Sequence, residues 1–271
     1  MPALIRRALL RTTPHLRTPK PYPWRMRRKP HIAPSIGLVF ALTGCRGLTT
    51  TVASTPSSPP PVASASTEPW YEPEIRAFEA QDRALPRRAD QVLFIGSSSI
   101  RKWTSLEADM WPVPVLNRGF GGSKTPDVLA VFDRAVTTHR PAVIVYYCGE
   151  NDLGLDGTDA HAAAEGFFKF ASRARELRPD VHVFYISIKP SLQRWKNWPA
   201  MQRTNDLVRT FCEMTPGMTF VDVEGEMLGA DRKPDPSLFV EDGLHMNAKG
   251  YERWTRAIRQ QVWTAWVQAA P

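Results

Sequence analysis

Cysteine is scarce in this chain. Its 271 residues hold three, Cys45, Cys148 and Cys212, with no CxxC and no Cys/His ligand spacing among them. A structural metal site is therefore not expected. Cys148 and Cys212 read as buried small hydrophobes, their pairing left open. Long apolar runs are missing too. The one around Val39 lies inside "MRRKPHIAPSIGLVFALTGC" and falls short of the ~20 residues a membrane-spanning helix needs. Nucleotide signatures fail on inspection. In "GFGGSKT" Ser123 separates Gly122 from Lys124, so Walker A is not met, and the third glycine of GxGxxG is missing. No GxSxG elbow occurs, which argues against the α/β-hydrolase arrangement. The net charge of +8 is unevenly placed. Ten of the 35 Lys and Arg fall in residues 1–68 beside one acid, Glu68, leaving 25 basic against 26 acidic residues in 69–271. The folded part is thus near neutral, and no nucleic-acid partner is expected.

The N-terminal quarter reads as targeting sequence. From Met26 a basic stretch precedes a short apolar run that ends in small residues and Cys45. Leu42-Thr43-Gly44-Cys45 resembles the bacterial lipoprotein processing box, which implies a signal segment over 26–45 and a lipidated Cys45 at the mature N-terminus. A plain secretory signal with an incidental cysteine is the alternative. Residues 1–25 then read as upstream sequence from a misassigned start. Residues 46–68, "RGLTTTVASTPSSPPPVASASTE", have too little bulky apolar surface to offset the entropy of ordering, and read as a disordered tether. The expectation is a cell-envelope protein, lipid-anchored to a membrane through Cys45, with one folded domain over 69–271.

Within that domain, apolar β-rich runs alternate with helical periodicity. Residues 91–96, 114–117, 142–149, 182–188 and 219–223 read as strands. Residues 72–85, 125–139, 160–178, 200–214 and 247–268 read as helices. The runs at 142–149 and 182–188 are apolar at consecutive positions, as in strands covered on both faces. Such alternation predicts α/β architecture: a five-stranded parallel sheet between helical layers. Ligands in such folds bind at the carboxyl ends of the strands.

Four segments should meet at that edge. Gly96-Ser97-Ser98-Ser99 follows the first strand and "NRGFGGSKT" (117–125) the second. "GEND" (149–152) follows the third, and "EDGLHMNAKGY" (241–251) precedes the last helix. Together they supply a hydroxyl, glycine amides, a side-chain amide and an Asp-x-x-His pair. Acyl transfer needs such a set: a nucleophile, a base with its orienting acid, and donors for an oxyanion. A serine at a helix start has its hydroxyl near backbone N–H groups, which favours developing negative charge.

In order and content these segments resemble the four blocks of the SGNH hydrolases, also called GDSL esterases and lipases. The resemblance spans most of 91–251. It implies a flavodoxin-like three-layer α/β/α fold and a serine esterase acting through an acyl-enzyme, with no cofactor. Short acyl groups are expected because the loops 188–199 and 225–241 supply no long aliphatic run to line an acyl tunnel. Ser98 would be the nucleophile, His245 the base and Asp242 its partner. The oxyanion hole would comprise the Ser98 and Gly122 amides and the Asn151 side chain. The substrate would be a small-molecule or carbohydrate ester. Where the family has aspartate this chain has Ser97, which leaves Ser97 as a rival nucleophile. Two other functions stay open: an O-acyltransferase using the same residues, and a non-catalytic envelope binding module. His15, His31, His139, His161 and His182 lack comparable company. The stretch "KPSLQRWKNWP" (189–199) follows a strand and is a candidate to line the cleft.

Overall fold

The computed structural model describes residues 68–84 and 91–269. The signal segment, Cys45 and the tether up to residue 67 lie outside the described residues. Five strands form one parallel sheet: β1 (Val92–Gly96), β2 (Val115–Gly119), β3 (Val143–Tyr147), β4 (His182–Ile186) and β5 (Met218–Val221), in the order β2-β1-β3-β4-β5. Register is continuous across the middle, with Leu93 beside Leu116 on one flank and Ile144 on the other, and Val183 beside both Ile144 and Met218. β1 and β3 are buried at every position. An apolar run can be covered on both sides only if helices lie on both faces.

The two faces carry separate cores, sorted by the period-2 alternation of strand side chains. Leu93, Ile95, Ile144, Tyr146, Val183 and Tyr185 meet α1 (Glu72–Ala84), α4 (Thr125–Ala130), α6 (Ala160–Leu177) and α7 (Trp198–Met214). Phe94, Val145, Tyr147 and Ile186 meet α2 (Ser98–Arg101), α3 (Leu106–Met110) and α9 (Ala248–Gln268). The fold is therefore the three-layer α/β/α sandwich expected from the alternation. Fully buried side chains such as Phe94, Phe170 and Ile258 each contribute about 2–3 kcal/mol by leaving water. Between them lie two short helices, α5 (Glu150–Leu155) and α8 (Glu224–Met227).

The helices differ from the sequence expectation in two respects. The single helix expected over 125–139 is α4 followed by a π-helical turn, Asp133–Thr137. The apolar positions Val128, Val131, Phe132, Ala135 and Val136 keep one buried face through both, so periodicity does not distinguish them. Helices α2, α3, α5 and α8, of four to six residues, are too short to leave a periodic signal. Among the described residues no helix is long and apolar enough to cross a membrane. Cys148 and Cys212 are free and buried; burial raises both thiols, that of Cys212 to about 12.

Candidate active site

Gly96 ends β1 at φ +143°, and a Cβ there would lie 1.8 Å from the carbonyl oxygen of Tyr147 on β3. Only glycine lets the two strands approach this closely while the chain turns off the sheet. The turn delivers three serines in three environments. Ser97 is buried, with its N–H donating to the Tyr147 carbonyl at 3.0 Å. Ser99 is buried as well, its carbonyl accepting from the Tyr251 hydroxyl at 2.9 Å. Ser98 alone is half-buried and faces a histidine: its Oγ lies 2.9 Å from His245 Nε2. Because α2 has only four residues, electrostatic help at Ser98 comes from local N–H groups rather than a long helix dipole.

The histidine is presented by a tightly tied loop. Phe239 and Met246 pair as an antiparallel bridge, and the Val240 N–H donates to the His245 carbonyl at 2.9 Å. Just beyond, Asn247 caps α9, accepting from Lys249 and Gly250 and donating to the carbonyls of Ser237 and Phe239. Asp242 completes the arrangement. Its Oδ2 lies 2.5 Å from His245 Nδ1, and its Oδ1 accepts from the N–H groups of Leu244 and His245, both at 2.8 Å. A carboxylate can only accept, so Nδ1 carries the proton and Nε2 is left to accept from the Ser98 hydroxyl. Partial burial pushes the Asp242 carboxyl upward. The hydrogen bonds from the His245 ring and the two backbone N–H groups outweigh it and hold the carboxyl down at about 2.

The remaining donors come from neighbouring strand ends. Gly122 lies in the turn after β2 at φ +68°. The Trp70 indole covers it, within 3.4 Å of where a Cβ would stand, and is itself mostly exposed. Asn151 sits in the first turn of α5, buried, and its Nδ2 donates to the Ser123 carbonyl at 3.0 Å. That uses one of its two amide hydrogens and leaves the other available for a ligand. Its neighbour Asp152 is buried and accepts from the Thr125 N–H at 3.0 and 3.2 Å; burial raises its carboxyl despite that bond. Ser98, His245 and Asp242 are thus joined by direct hydrogen bonds. Asn151 and the Gly122 turn are joined to each other through Ser123.

Sequence reasoning gave no role to Trp70, Asp152 or Glu150. Trp70 stands alone at the edge of the Ser/Pro-rich segment, and nothing local marks it. The segment 189–199 meets the Asp242–His245 loop at Leu192 and Gln193. Lys189 and Ser191 are buried, while Leu192 is exposed and approaches Gly243, between Asp242 and His245 in the chain.

Among the described residues no group of three or more His, Cys, Asp or Glu is placed to hold a metal ion. Two clefts, of about 440 and 350 Å³, are lined by Glu74, Phe78, Arg101 and Trp103 and by Gln202, Arg203, Asp206 and Glu224; neither includes Ser98 or His245.

Among solved structures the fold is shared with a GDSL-like lipase from Bacteroides thetaiotaomicron (20% identity, TM-score 0.60, covering 70% of this chain and 98% of that one). It is shared also with a carbohydrate esterase family 3 protein from Talaromyces cellulolyticus (14%, 0.54, 67% and 99%). A third is a catalytic variant of an acetylxylan esterase from Geobacillus stearothermophilus (16%, 0.54, 65% and 95%). No curated protein matches the sequence significantly. The sequence model of one family matches residues 82–253, which run from the end of α1 into α9 and include Ser98, Gly122, Asn151, Asp242 and His245. With more than half of its length matched, the chain belongs to the GDSL-like lipase/acylhydrolase family.

Proposed function

We propose that this protein is a serine esterase that hydrolyses short-chain carboxylic esters through an acyl-enzyme on Ser98. The observation that carries the reading is the relay Ser98 Oγ–His245 Nε2–Asp242, at 2.9 and 2.5 Å. As Oγ attacks the ester carbonyl carbon, Nε2 takes the hydroxyl proton, and Asp242 stabilises the imidazolium that forms. The carbonyl π electrons move onto oxygen, which the Ser98 and Gly122 N–H groups and the free Asn151 amide hydrogen receive. Losing one such donor typically costs on the order of 3 kcal/mol of barrier. Collapse breaks the bond to the alcohol oxygen, which leaves with the proton from Nε2. Water then repeats the sequence on the acyl-enzyme and releases the acid.

Short acyl groups fit the open setting of the site, since Asp242 is 44% exposed. Such a site buries few methylenes, each contributing about 0.8 kcal/mol. Likeness to a carbohydrate esterase and an acetylxylan esterase makes a sugar the favoured alcohol side. We further propose that lipidated Cys45 holds the enzyme at a membrane of the cell envelope; Cys45→Ser should then move it to the soluble fraction. The catalytic reading is tested with nitrophenyl esters of two to sixteen carbons beside Ser98→Ala. We expect kcat/KM to peak at two to four carbons and to vanish in the variant. A maximum at twelve or more would refute the short-chain reading, and an active Ser98→Ala the catalytic one.

A further inference from the structure

Behind the site lies an ion pair that the proton relay does not use. Lys189 is fully buried and its Nζ sits 2.9 and 2.8 Å from the two carboxylate oxygens of Glu150, which is 4% exposed. The same carboxylate accepts from the Tyr147 hydroxyl at 2.9 Å and from Ser191 Oγ at 3.2 Å. A buried pair of this kind stabilises a fold no better than well-packed apolar residues would, because removing two charges from water costs about as much as their attraction returns. Its placement suggests another use.

Glu150, Asn151 and Asp152 are consecutive on the first turn of α5, so their side chains leave the helix about 100° apart. Glu150 is pinned to the segment after β4 and Asp152 to the start of α4. The turn is thus anchored on both sides of Asn151, whose amide also donates to the Ser123 carbonyl at 3.0 Å. The other end of the bracket is equally fixed. Asn205 accepts from the Ile188 N–H at 2.8 Å and donates to the Ile188 carbonyl at 3.0 Å. Four residues beyond Lys189, the Gln193 N–H donates to the Gly243 carbonyl at 3.0 Å, inside the Asp242–His245 loop. The segment 188–193 therefore runs from the oxyanion side of the site to the base side.

We propose that Glu150 and Lys189 are positioning residues, which fix the Asn151 amide relative to the His245 loop and act on the reaction through Asn151. The proposal rests on the esterase reading. Misplacement of a reacting group by about 1 Å is enough to cost ~100-fold in rate, so Glu150→Gln should lower kcat by about 10- to 100-fold with KM changed less than about threefold. In an Asn151→Ala background, where the amide to be positioned is gone, the same substitution should cost less than about threefold. A purely structural role would give the same loss in both backgrounds. A second comparison guards against misfolding. The neutral double variant Glu150→Gln/Lys189→Met should regain thermal stability lost in Lys189→Met alone without regaining kcat. Should Glu150→Gln not fold, Tyr147→Phe removes a single hydrogen bond from the same carboxylate and should show the same dependence on Asn151.

Wild type and Ser98→Ala are run alongside. An inert wild type overturns the esterase reading and this proposal with it. Normal turnover combined with equal losses in both backgrounds, or with recovery of kcat in the double variant, overturns only the positioning role.

Discussion

Asp242→Asn changes one atom, and its consequence can be worked from the hydrogen bonds around it. Oδ1 accepts from two backbone N–H groups and Oδ2 faces His245 Nδ1. In the variant the amide oxygen stays with the backbone donors, so the NH₂ group faces Nδ1. Nδ1 must then accept, the ring proton moves to Nε2, and Ser98 loses its base. The alternative is to flip the amide, which restores the tautomer but sets NH₂ against two N–H groups. At about 1 kcal/mol for each lost bond, the flip costs roughly 2 kcal/mol. The flipped form also lacks the carboxylate that stabilises the imidazolium, a charged hydrogen bond contributing about 1.5–3 kcal/mol. The cheaper route thus adds about 3.5–5 kcal/mol to the barrier, a loss of roughly 400- to 5,000-fold. The assay is kcat/KM on nitrophenyl acetate, with a thermal melt to show the variant is folded. A folded Asp242→Asn retaining more than a tenth of wild-type activity would refute both the tautomer argument and the role given to Asp242.

The remaining expectations are brief. Ser97→Ala should keep at least a third of the activity that Ser98→Ala abolishes, because the hydrogen bonds at Ser97 come from its backbone, not its hydroxyl; the opposite result would move the nucleophile to Ser97. Gly96→Ala should lower stability by about 4 kcal/mol, roughly 10 °C or more in Tm, since its Cβ would collide with the Tyr147 carbonyl; a melt within 3 °C of wild type would contradict the close approach of β1 to β3. The Asp242 carboxyl is lowered on folding from 3.8 to about 2, so its ionised form favours the folded state above pH 4 and that contribution fades as pH falls toward 2. The side chain is nearly half exposed, which limits the effect to about 1 kcal/mol. The Tm gap between wild type and Asp242→Asn should therefore narrow from pH 5 to pH 2, and a gap that widens would reverse the sign of the argument.

Strand and helix positions were legible because burial leaves a local imprint. Residues 142–149 are apolar at consecutive positions, and β3 is covered on both faces. The run at 160–178 repeats every three to four residues, and α6 buries Ala163, Ala164, Phe167, Phe170 and Ala171 along one face. Short helices such as α2 and α5 were not legible, since one turn contains no period. The motifs that mark the family were legible as well, because the chemistry they imply depends on residue type and order.

Sequence by itself determined the layered α/β architecture, the edge of the sheet where chemistry would sit, and the Asp-x-x-His spacing that lets one loop hold acid and base together. The motif order already pointed to Ser98 and left Ser97 as a rival; only tertiary structure gives the three adjacent serines different surroundings. All three have the same hydroxyl; what separates them is that the turn after Gly96 buries two and aims the third at a histidine 147 residues away. Tertiary structure alone also joined Glu150 to Lys189, 39 residues apart, and set the exposed Trp70 over Gly122. Such pairings arise from how the helices pack on the sheet, and no local pattern records them, because a side chain's partners are chosen in space after the chain has folded.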